Sequence, residues 1–334
     1  MFLFNDCCKG NTFLNKILIK SNIFLFSFFL SFLSLYLCND LSISRQLEMT
    51  RKENDQYWTM RIRPYEKLWH IDLGEIWRYR DLIELFVRRN IVVQYKQTIL
   101  GPLWYLIQPI LTVVMNMVVF GGIAKMSTDG IPQALFYMAG NICWFYFSDC
   151  LNQSSSTFTA NQHMFGKVYF PRLVVPVAVV ISNLLRFFIQ VGLFVVLFLY
   201  FFFSGAPLFV NWAILLTPLF VVMLAGLGLG FGILISSLTT KYRDFTILFT
   251  FIVQLWMYAT PIVYPMSMVQ NETLRILILA NPMTSIIEAF KYATLGQGFF
   301  SWIALGYSFF FMGVLLLFGI AVFNKVQRNF MDTV

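Results

Sequence analysis

The 334-residue chain has little charge, little histidine and no regular cysteine spacing. Charged residues make up 12% of the sequence, against about 25% in an ordinary soluble domain. Hydrophobic residues make up 58%, including 38 phenylalanines, so the composition indicates an integral membrane protein. Five cysteines without a CxxC pair argue against a zinc site. The net charge of +8 is spread along the chain, which disfavours a nucleic-acid partner.

The sequence also lacks the groups from which a catalytic site is normally built. Its two histidines, His70 and His163, both lie outside the long apolar segments. Inside those segments the clearest ionisable residues are Asp149 and Arg186. So few acids, bases and metal ligands at a common depth argue against a membrane enzyme and an ion-coupled carrier. We therefore expect no catalytic residue, metal or cofactor on this chain.

A phosphate-binding loop of the form GxxxxGK[ST] is also missing. The nearest glycine-rich stretch is AGLGLGFG at 225–232, which has no lysine and lies inside an apolar run. Its overlapping GxxxG pairs, Gly226/Gly230 and Gly228/Gly232, predict close helix packing instead. We expect ATP and Mg²⁺, if they are used, to bind a partner subunit.

Six apolar segments are long enough to cross a membrane, which takes about 20 helical residues. They cover 103–124, 132–151, 173–203, 209–237, 245–264 and 302–323. Sixteen Lys and Arg residues fall on the side that holds both ends of this unit, and three on the other. The positive-inside rule therefore predicts an all-α polytopic membrane protein whose six-span unit has both ends in the cytoplasm.

The N-terminal part does not fit this arrangement. The apolar run IFLFSFFLSFLSLYLC at 23–38 has sixteen residues after three lysines, which is typical of a signal peptide or signal anchor. If it crossed the membrane, the basic segment 51–100 would lie on the wrong side. We interpret 1–48 as an over-extension of the reading frame, with Met49 or Met60 as the start, or as a peripheral element. The domains predicted are an N-terminal extension at 1–59, an interfacial segment at 60–101, the six-span domain at 102–324 and a cytoplasmic tail at 325–334.

Residues 75–98 have the apolar spacing of an amphipathic helix. One face is predicted to collect Ile76, Tyr79, Leu82, Ile83, Phe86 and Val93. Its basic residues and Trp77 suit a helix in the headgroup plane, although packing on cytosolic protein would also fit. The pair Gly101-Pro102 then separates this helix from the first span, and Trp104 and Tyr105 mark the boundary between water and lipid.

A second irregular region lies between the fifth and sixth spans. The segment 274–280 is too short to cross a membrane and is followed by Asn281-Pro282, after which 283–295 is again helical. A pair of short re-entrant helices fits this pattern, and so does an extracellular helical cap. Glu288 and Lys291 are three residues apart and can pair on one helix face.

Six motifs in order resemble the membrane subunit of ABC-2-type exporters of polysaccharides or polyol phosphates, such as O-antigen, capsule or teichoic acid. They are YKQTILGPLWYLIQPIL (95–111), FGGIAK (120–125), GNICWFYF (140–147), NQHMFGKVYFPRLVVPV (161–177), TTKYRDF (239–245) and NPMTSIIEAFKYA (281–293). Asn90 and Gln94 depart from the family pattern, in which an aspartate and an arginine are common, so no role is transferred to these two positions. The resemblance implies a homodimer that works with two separate ATPase subunits in the bacterial cytoplasmic (inner) membrane.

The resemblance also implies that the ATPases dock on two loops, at 160–172 and 241–244. The expected coupling residues are Asn161, His163, Phe165, Lys167, Tyr242, Arg243 and Asp244. Without the resemblance, both loops could equally be solvated loops that carry positive-inside charge. Tyr242 and Arg243 could instead anchor the adjacent helices at the membrane interface.

Aromatic and basic residues near the span ends are candidates for the substrate path. The aromatic candidates are Trp104, Tyr105, Trp144, Tyr146, Trp256 and Tyr258, and the basic candidates are Arg88, Arg89, Lys96 and Arg186. Aromatic faces pack on sugars, and basic residues attract a lipid-linked pyrophosphate. The same residues could form an interfacial belt, bind lipid headgroups or snorkel to the cytoplasm.

The predicted function is therefore that of a permease subunit, and not an enzyme, in an ATP-driven exporter of lipid-linked polysaccharide. An ABC-2 exporter of a small drug or lipid is the alternative among transporters. A membrane-embedded enzyme that modifies glycans is the alternative from a different class.

Overall fold

The computed structural model describes residues 73–96, 101–165, 170–239 and 244–333. Every regular element in these ranges is a helix. The interpretation of 1–59 lies outside the described residues. So do Lys167, Tyr242 and Arg243, and nothing is described of the His163 side chain.

The helices follow one another with short connections. In chain order the α-helices of the described ranges are α1 (Leu73–Arg78), α2 (Arg80–Lys96), α3 (Trp104–Asn116), α4 (Gln133–Ser155), α5 (Thr157–Ala160), α6 (Gln162–Phe165), α7 (Val174–Phe203), α8 (Thr217–Thr239), α9 (Asp244–Tyr258), α10 (Glu272–Leu279), α11 (Pro282–Leu295) and α12 (Trp302–Thr333). A 3-10 turn at Gly101–Leu103 precedes α3, which continues as a π-helix over Met117–Ile123. Further 3-10 turns cover Trp212–Leu216 and Met266–Met268.

Four helical segments are long and apolar enough to cross a membrane. They are Trp104–Ile123, Val174–Phe203, Trp212–Thr239 and Trp302–Val326, and they coincide with the first, third, fourth and sixth predicted spans. The pair α10 and α11 passes the same test only when both helices are taken together, with a bend of 92° between them. By length and composition the described residues therefore contain four or five spans, which supports a multi-pass membrane protein.

The second predicted span is helix α4, which lies at the centre of the bundle. It packs against α3, α7, α8 and α11, and sixteen of its 23 residues are buried. Because neighbouring helices cover it, α4 does not need the apolar surface of a lipid-facing helix. It therefore carries polar side chains such as the fully buried Asn141, and it is not among the segments selected by their hydropathy.

Glycines set the close packing of α8 against two neighbours, as the GxxxG pairs predict. A Cβ atom added at Gly228 would stand 2.7 Å from Cβ of Cys150 on α4 and 3.0 Å from the carbonyl oxygen of Phe147. One added at Gly230 would stand 3.0 Å from the side chain of Leu315 on α12. The pair Gly228/Gly232 therefore faces α4, and the pair Gly226/Gly230 faces α12.

The two short helices predicted at 274–295 are present as α10 and α11, here called the α10–α11 hairpin. Asn281 caps α11, because its side chain accepts a hydrogen bond from the backbone N–H of Met283 at 3.1 Å. Its amide nitrogen also donates to the hydroxyl of Thr260 at 3.0 Å. All but one residue of α11 are buried, whereas no residue of α10 is.

A buried ion pair fixes α11 to its surroundings, as the spacing of Glu288 and Lys291 predicts. The Lys291 ammonium donates to the carbonyl oxygen of Pro261 at 2.6 Å and to the Glu288 carboxylate at 3.4 Å. It also lies 3.8 Å from the ring centroid of Phe136 on α4. The second oxygen of Glu288 accepts from the backbone N–H of Phe299 at 3.1 Å. A charge this deeply buried needs such a full set of partners.

We expect Gly228→Ala to lower the free energy of unfolding by about 1–3 kcal/mol, because the new methyl group meets the α4 backbone. Thermal unfolding of the purified protein in detergent would measure the effect. Gly192→Ala is the matched control on α7, where an added Cβ meets nothing within 4 Å. Equal unfolding midpoints for the two variants would contradict the close contact of α8 with α4.

Candidate functional site

A cluster of five phenylalanines joins the short helices α5 and α6 to the rest of the bundle. We call it the Phe158 cluster; it contains Phe86, Phe158, Phe165, Phe170 and Phe323. Neighbouring ring centroids are 5.8 Å apart for Phe86 and Phe170, 5.7 Å for Phe170 and Phe165, and 6.0 Å for Phe165 and Phe158. Phe158 stacks on Phe323 at 4.6 Å. The rings thus form a continuous path from α2 through α6 and α5 to α12.

The described coupling candidates occupy different positions relative to this cluster. Phe165 is buried in it, with the guanidinium of Arg172 lying 5.4 Å from its ring centroid. Asn161 is half-buried and donates to the backbone carbonyl of Thr157 at 3.0 Å, whereas Asp244 is exposed at the start of α9. Phe165 therefore supports the loop from inside, and Asn161 and Asp244 are the candidates a partner could touch. The coupling roles stay predictions.

Helix α2 and the preceding Tyr79 pack on the Phe158 cluster through the predicted apolar face, except for Ile76, which is half-buried on α1 and outside the cluster, and Val93. Phe86 is buried, and Tyr79, Leu82, Ile83 and Val87 pack beside it. Val93, predicted for the same face, is 62% exposed, because the cluster covers the helix only as far as Val87. A second strip, formed by Trp77, Leu85 and Val92, is exposed.

The basic candidates Arg88, Arg89 and Lys96 are all exposed on α2. The guanidinium of Arg89 lies 4.8 Å from the Phe86 ring centroid, a cation–π contact that leaves the charge accessible. The three residues therefore present positive charge along α2, with Arg89 next to the Phe158 cluster.

Arg186 connects three helices through a polar cluster, here called the Arg186 cluster. Its guanidinium on α7 donates to the carboxylate of Asp149 on α4 at 2.6 Å and to the side-chain oxygen of Gln108 on α3 at 2.7 Å. It also lies 5.4 Å from the ring centroid of Tyr105 on α3. The Arg186 and Asp149 side chains are 14% and 22% exposed, so the pair is close to a surface.

Further polar side chains continue from the Arg186 cluster along the same three helices. Asn116 lies two turns beyond Gln108 on α3, Gln190 one turn beyond Arg186 on α7, and Asn141 two turns before Asp149 on α4. Each buries at least one polar atom with no hydrogen-bond partner among the described residues. Buried amides without partners are costly, so each of these three buried positions calls for an ordered water or another polar group.

Helix α9 carries a second polar surface that the sequence analysis missed. Thr246, Thr250, Gln254 and Tyr258 recur every four residues and are all exposed; we call them the α9 stripe. Of α9, Val253 alone is buried. An amide such as that of Gln254 is poorly accommodated by hydrocarbon. Gln254 therefore calls for water or a polar partner, whereas the Thr250 hydroxyl already donates to the carbonyl of Thr246 at 2.8 Å. The four-residue spacing was visible in the sequence.

The aromatic candidates divide into buried and accessible residues. Trp144 and Tyr146 on α4 are only 3% and 2% exposed. Trp144 packs against Trp256 at 6.3 Å, and the Tyr146 hydroxyl donates to the carbonyl of Val180 at 3.4 Å. In this conformation both support the core and offer no surface to a substrate.

The accessible aromatic candidates lie on α3 and α9. Trp104 and Tyr258 are about half exposed, and Tyr105 is half-buried beside Arg186. Trp256 on α9 is half-buried as well, so these four candidates keep accessible surface in this conformation. Whether any of the six contacts substrate stays a prediction.

Comparison with known proteins decides what kind of protein carries these features. The sequence profile of a family described as "ABC-2 type transporter" matches residues 81–295. The chain belongs to this family. As an ABC-2 permease it is a transport subunit and not an enzyme. The match extends from α2 to the end of α11 and so includes the Arg186 cluster and the α9 stripe.

Several curated proteins resemble this ABC-2 permease over most of their length. An O-antigen export system permease protein RfbA from Myxococcus xanthus is 28% identical over 218 residues, which cover 65% of this chain and 81% of the relative. An RfbA from Klebsiella pneumoniae is 28% identical over 258 residues, covering 75% and 94%. The polysialic acid transport protein KpsM of Escherichia coli is 24% identical over 255 residues, covering 74% and 93%.

We expect Arg186→Lys to destabilise this ABC-2 permease by about 1.5–3 kcal/mol, the range for hydrogen bonds that involve a charged group. A lysine ammonium is a point charge and does not reproduce the planar fork that reaches both Asp149 and Gln108. Thermal unfolding in detergent would measure the change. Arg78→Lys, at an exposed residue of α1, is the control, and an equal effect at both positions would show that Arg186 does not bridge the helices.

Proposed function

We propose that this ABC-2 permease is the membrane subunit of an ATP-driven exporter that moves lipid-linked polysaccharide across the bacterial cytoplasmic membrane. The observation that carries this proposal is the set of relatives. Those named for O-antigen export and polysialic acid transport align over 81% to 94% of their own length. No described feature favours a small drug or lipid, or glycan chemistry, as the alternative function.

The proposed topology has six spans with both ends of the unit in the cytoplasm. The four apolar segments supply four spans, and α4 and α9 supply the other two. α4 crosses as a helix shielded by its neighbours, and α9, about 22 Å long at 1.5 Å per residue, crosses together with the turn that follows it. In this topology α1 and α2 lie in the inner headgroup plane, with Trp77, Leu85 and Val92 toward lipid. The α10–α11 hairpin dips in from the outer side.

Two ATPase subunits bind the cytoplasmic face of a permease homodimer in this proposal. The docking surface is formed by α5, α6 and the loop that follows them, with Asn161 and Asp244 within reach of the partner. The Phe158 cluster supports the surface, because it anchors these two four-residue helices to longer ones. ATP and Mg²⁺ stay on the ATPase subunits.

The proposed substrate path begins at the basic residues of α2 and passes the Arg186 cluster. Arg88, Arg89 and Lys96 attract the anionic phosphate of the lipid-linked substrate at the inner leaflet. Beyond the Arg186 cluster, the α9 stripe offers hydroxyl and amide groups that can form hydrogen bonds with the hydroxyl groups of a sugar polymer. Trp104, Tyr105 and Tyr258 add aromatic faces on which sugars can pack.

Deletion of the gene in its host tests the function. We expect the cell to lose its surface polysaccharide and to accumulate lipid-linked polymer at the inner leaflet, because synthesis continues without export. Immunoblotting of surface and internal polymer would measure both, with a plasmid copy of the gene as the control. Unchanged surface polymer together with a new sensitivity to small toxic compounds would instead support the drug exporter.

The α9 stripe makes a separate prediction about water. In a chain without its five native cysteines, Gln254→Cys should react at least tenfold faster with a membrane-impermeant charged thiol reagent than Val222→Cys. Val222 is exposed on α8, five residues after that helix begins, and Gln254 lies four residues before α9 ends. We place Val222 in lipid. Equal protection of both cysteines would contradict a hydrated path along α9.

A further inference from the structure

Helix α12 makes contacts at both ends of the bundle. Near its C-terminal end, the fully buried Phe323 stacks on Phe158 of α5, with ring centroids 4.6 Å apart and ring planes 24° from parallel. Phe158 in turn packs against Phe165, which contacts the rest of the Phe158 cluster. This end of α12 is thus part of the same packed unit as the short helices α5 and α6.

The other end of α12 is bonded to the bend of the α10–α11 hairpin. The hydroxyl of Ser308 donates to the carbonyl oxygen of Pro282 at 2.9 Å and can accept from the hydroxyl of Ser285 at 3.0 Å. The hydroxyl of Tyr307 donates to the carbonyl oxygen of Ala280 at 3.1 Å. Ala280 and Pro282 flank the break between α10 and α11, so these contacts hold the bend itself.

Between these two contacts α12 is uninterrupted. Ser308 and Phe323 lie on one helix without a proline, about 22 Å apart at 1.5 Å per residue. A continuous helix of this length kinks only at a proline, a π-bulge or a similar defect, so a shift at Phe323 reaches Ser308. Close contacts at Gly226, Gly230 and Gly319 hold α12 against α8 and restrict its sideways movement.

We propose that α12 carries the movement of the ATPase-docking helices α5 and α6 to the α10–α11 hairpin on the opposite side of the membrane. The movement reaches α12 through the Phe158–Phe323 stack. It passes from α12 to the hairpin through Ser308 and Tyr307. The proposal rests on the proposed function, because it needs an ATPase that docks at α5 and α6. It assigns a role to Phe323, Ser308 and Tyr307, which lie beyond the residues matched by the family.

The test measures the hairpin while the ATPase works. In a chain without native cysteines, Leu277→Cys places a thiol on α10, where Leu277 is exposed, and its reaction rate is followed in membranes that contain the whole complex. We expect ATP with vanadate to change this rate in the otherwise unmodified chain. Phe323→Ala should reduce the change at least fivefold when it is expressed per bound and active ATPase, because Phe323 also belongs to the cluster that supports the docking surface.

Two further variants make the result specific. Ser308→Ala removes two of the three hydrogen bonds at the hairpin end of α12, keeps the bond from Tyr307 to Ala280 and leaves the Phe158 cluster untouched. It should therefore also reduce the change, by at least twofold, with normal ATP hydrolysis. Phe310→Ala is the matched control, because it removes the same side chain from an exposed position of the same helix. It should leave the response as it is.

A full response in Phe323→Ala or in Ser308→Ala overturns the proposal, and so does the lack of any ATP-dependent change at Leu277→Cys in the working complex. If Phe323→Ala does not assemble, Ser308→Ala alone decides. If the ATPase binds and export proceeds but the variants respond fully, only this inference fails. If no ATPase binds the native chain, the proposed function fails with it.

Discussion

Hydrocarbon offers no hydrogen bonds, so every polar group that this chain brings into the membrane must find a partner within the protein or a path to water. The Arg186 cluster satisfies this constraint by joining α3, α4 and α7 through one guanidinium. The pair of Glu288 and Lys291 satisfies it by tying α11 to α4 and to the turns before and after the hairpin. In both places the need to pair a charge determines which helices are held together.

The same constraint applies to the polar groups that have no hydrogen-bond partner among the described residues. Asn116, Asn141 and Gln190 bury unpaired amide atoms among the described residues, and the α9 stripe leaves threonine and glutamine side chains uncovered. Hydrocarbon accommodates an unpaired amide poorly. Together with the relatives named for polysaccharide transport, these groups favour a hydrated route for a hydroxyl-rich polymer.

The elements that follow from local chemistry were predictable from the sequence. The four long apolar segments, the break at Asn281-Pro282 and the glycine packing of α8 all come from residue type and spacing. The sequence could not show which neighbouring helix covers each helix surface. Val93 shares the phase of Phe86 but lies beyond the cluster that covers it. Trp144 and Tyr146 resemble channel aromatics but are enclosed by other helices, and Phe165 faces the core from within a loop expected to meet the ATPase.

The central claim is that the α9 stripe lies along the path of the polymer. A photo-reactive amino acid placed at position 254, in a cell that is exporting its polysaccharide, tests this most directly. The account predicts a permease–polymer adduct on illumination that requires active export and is not formed from position 222 on α8. An adduct only with lipid or with a second permease copy, while export continues, would contradict it.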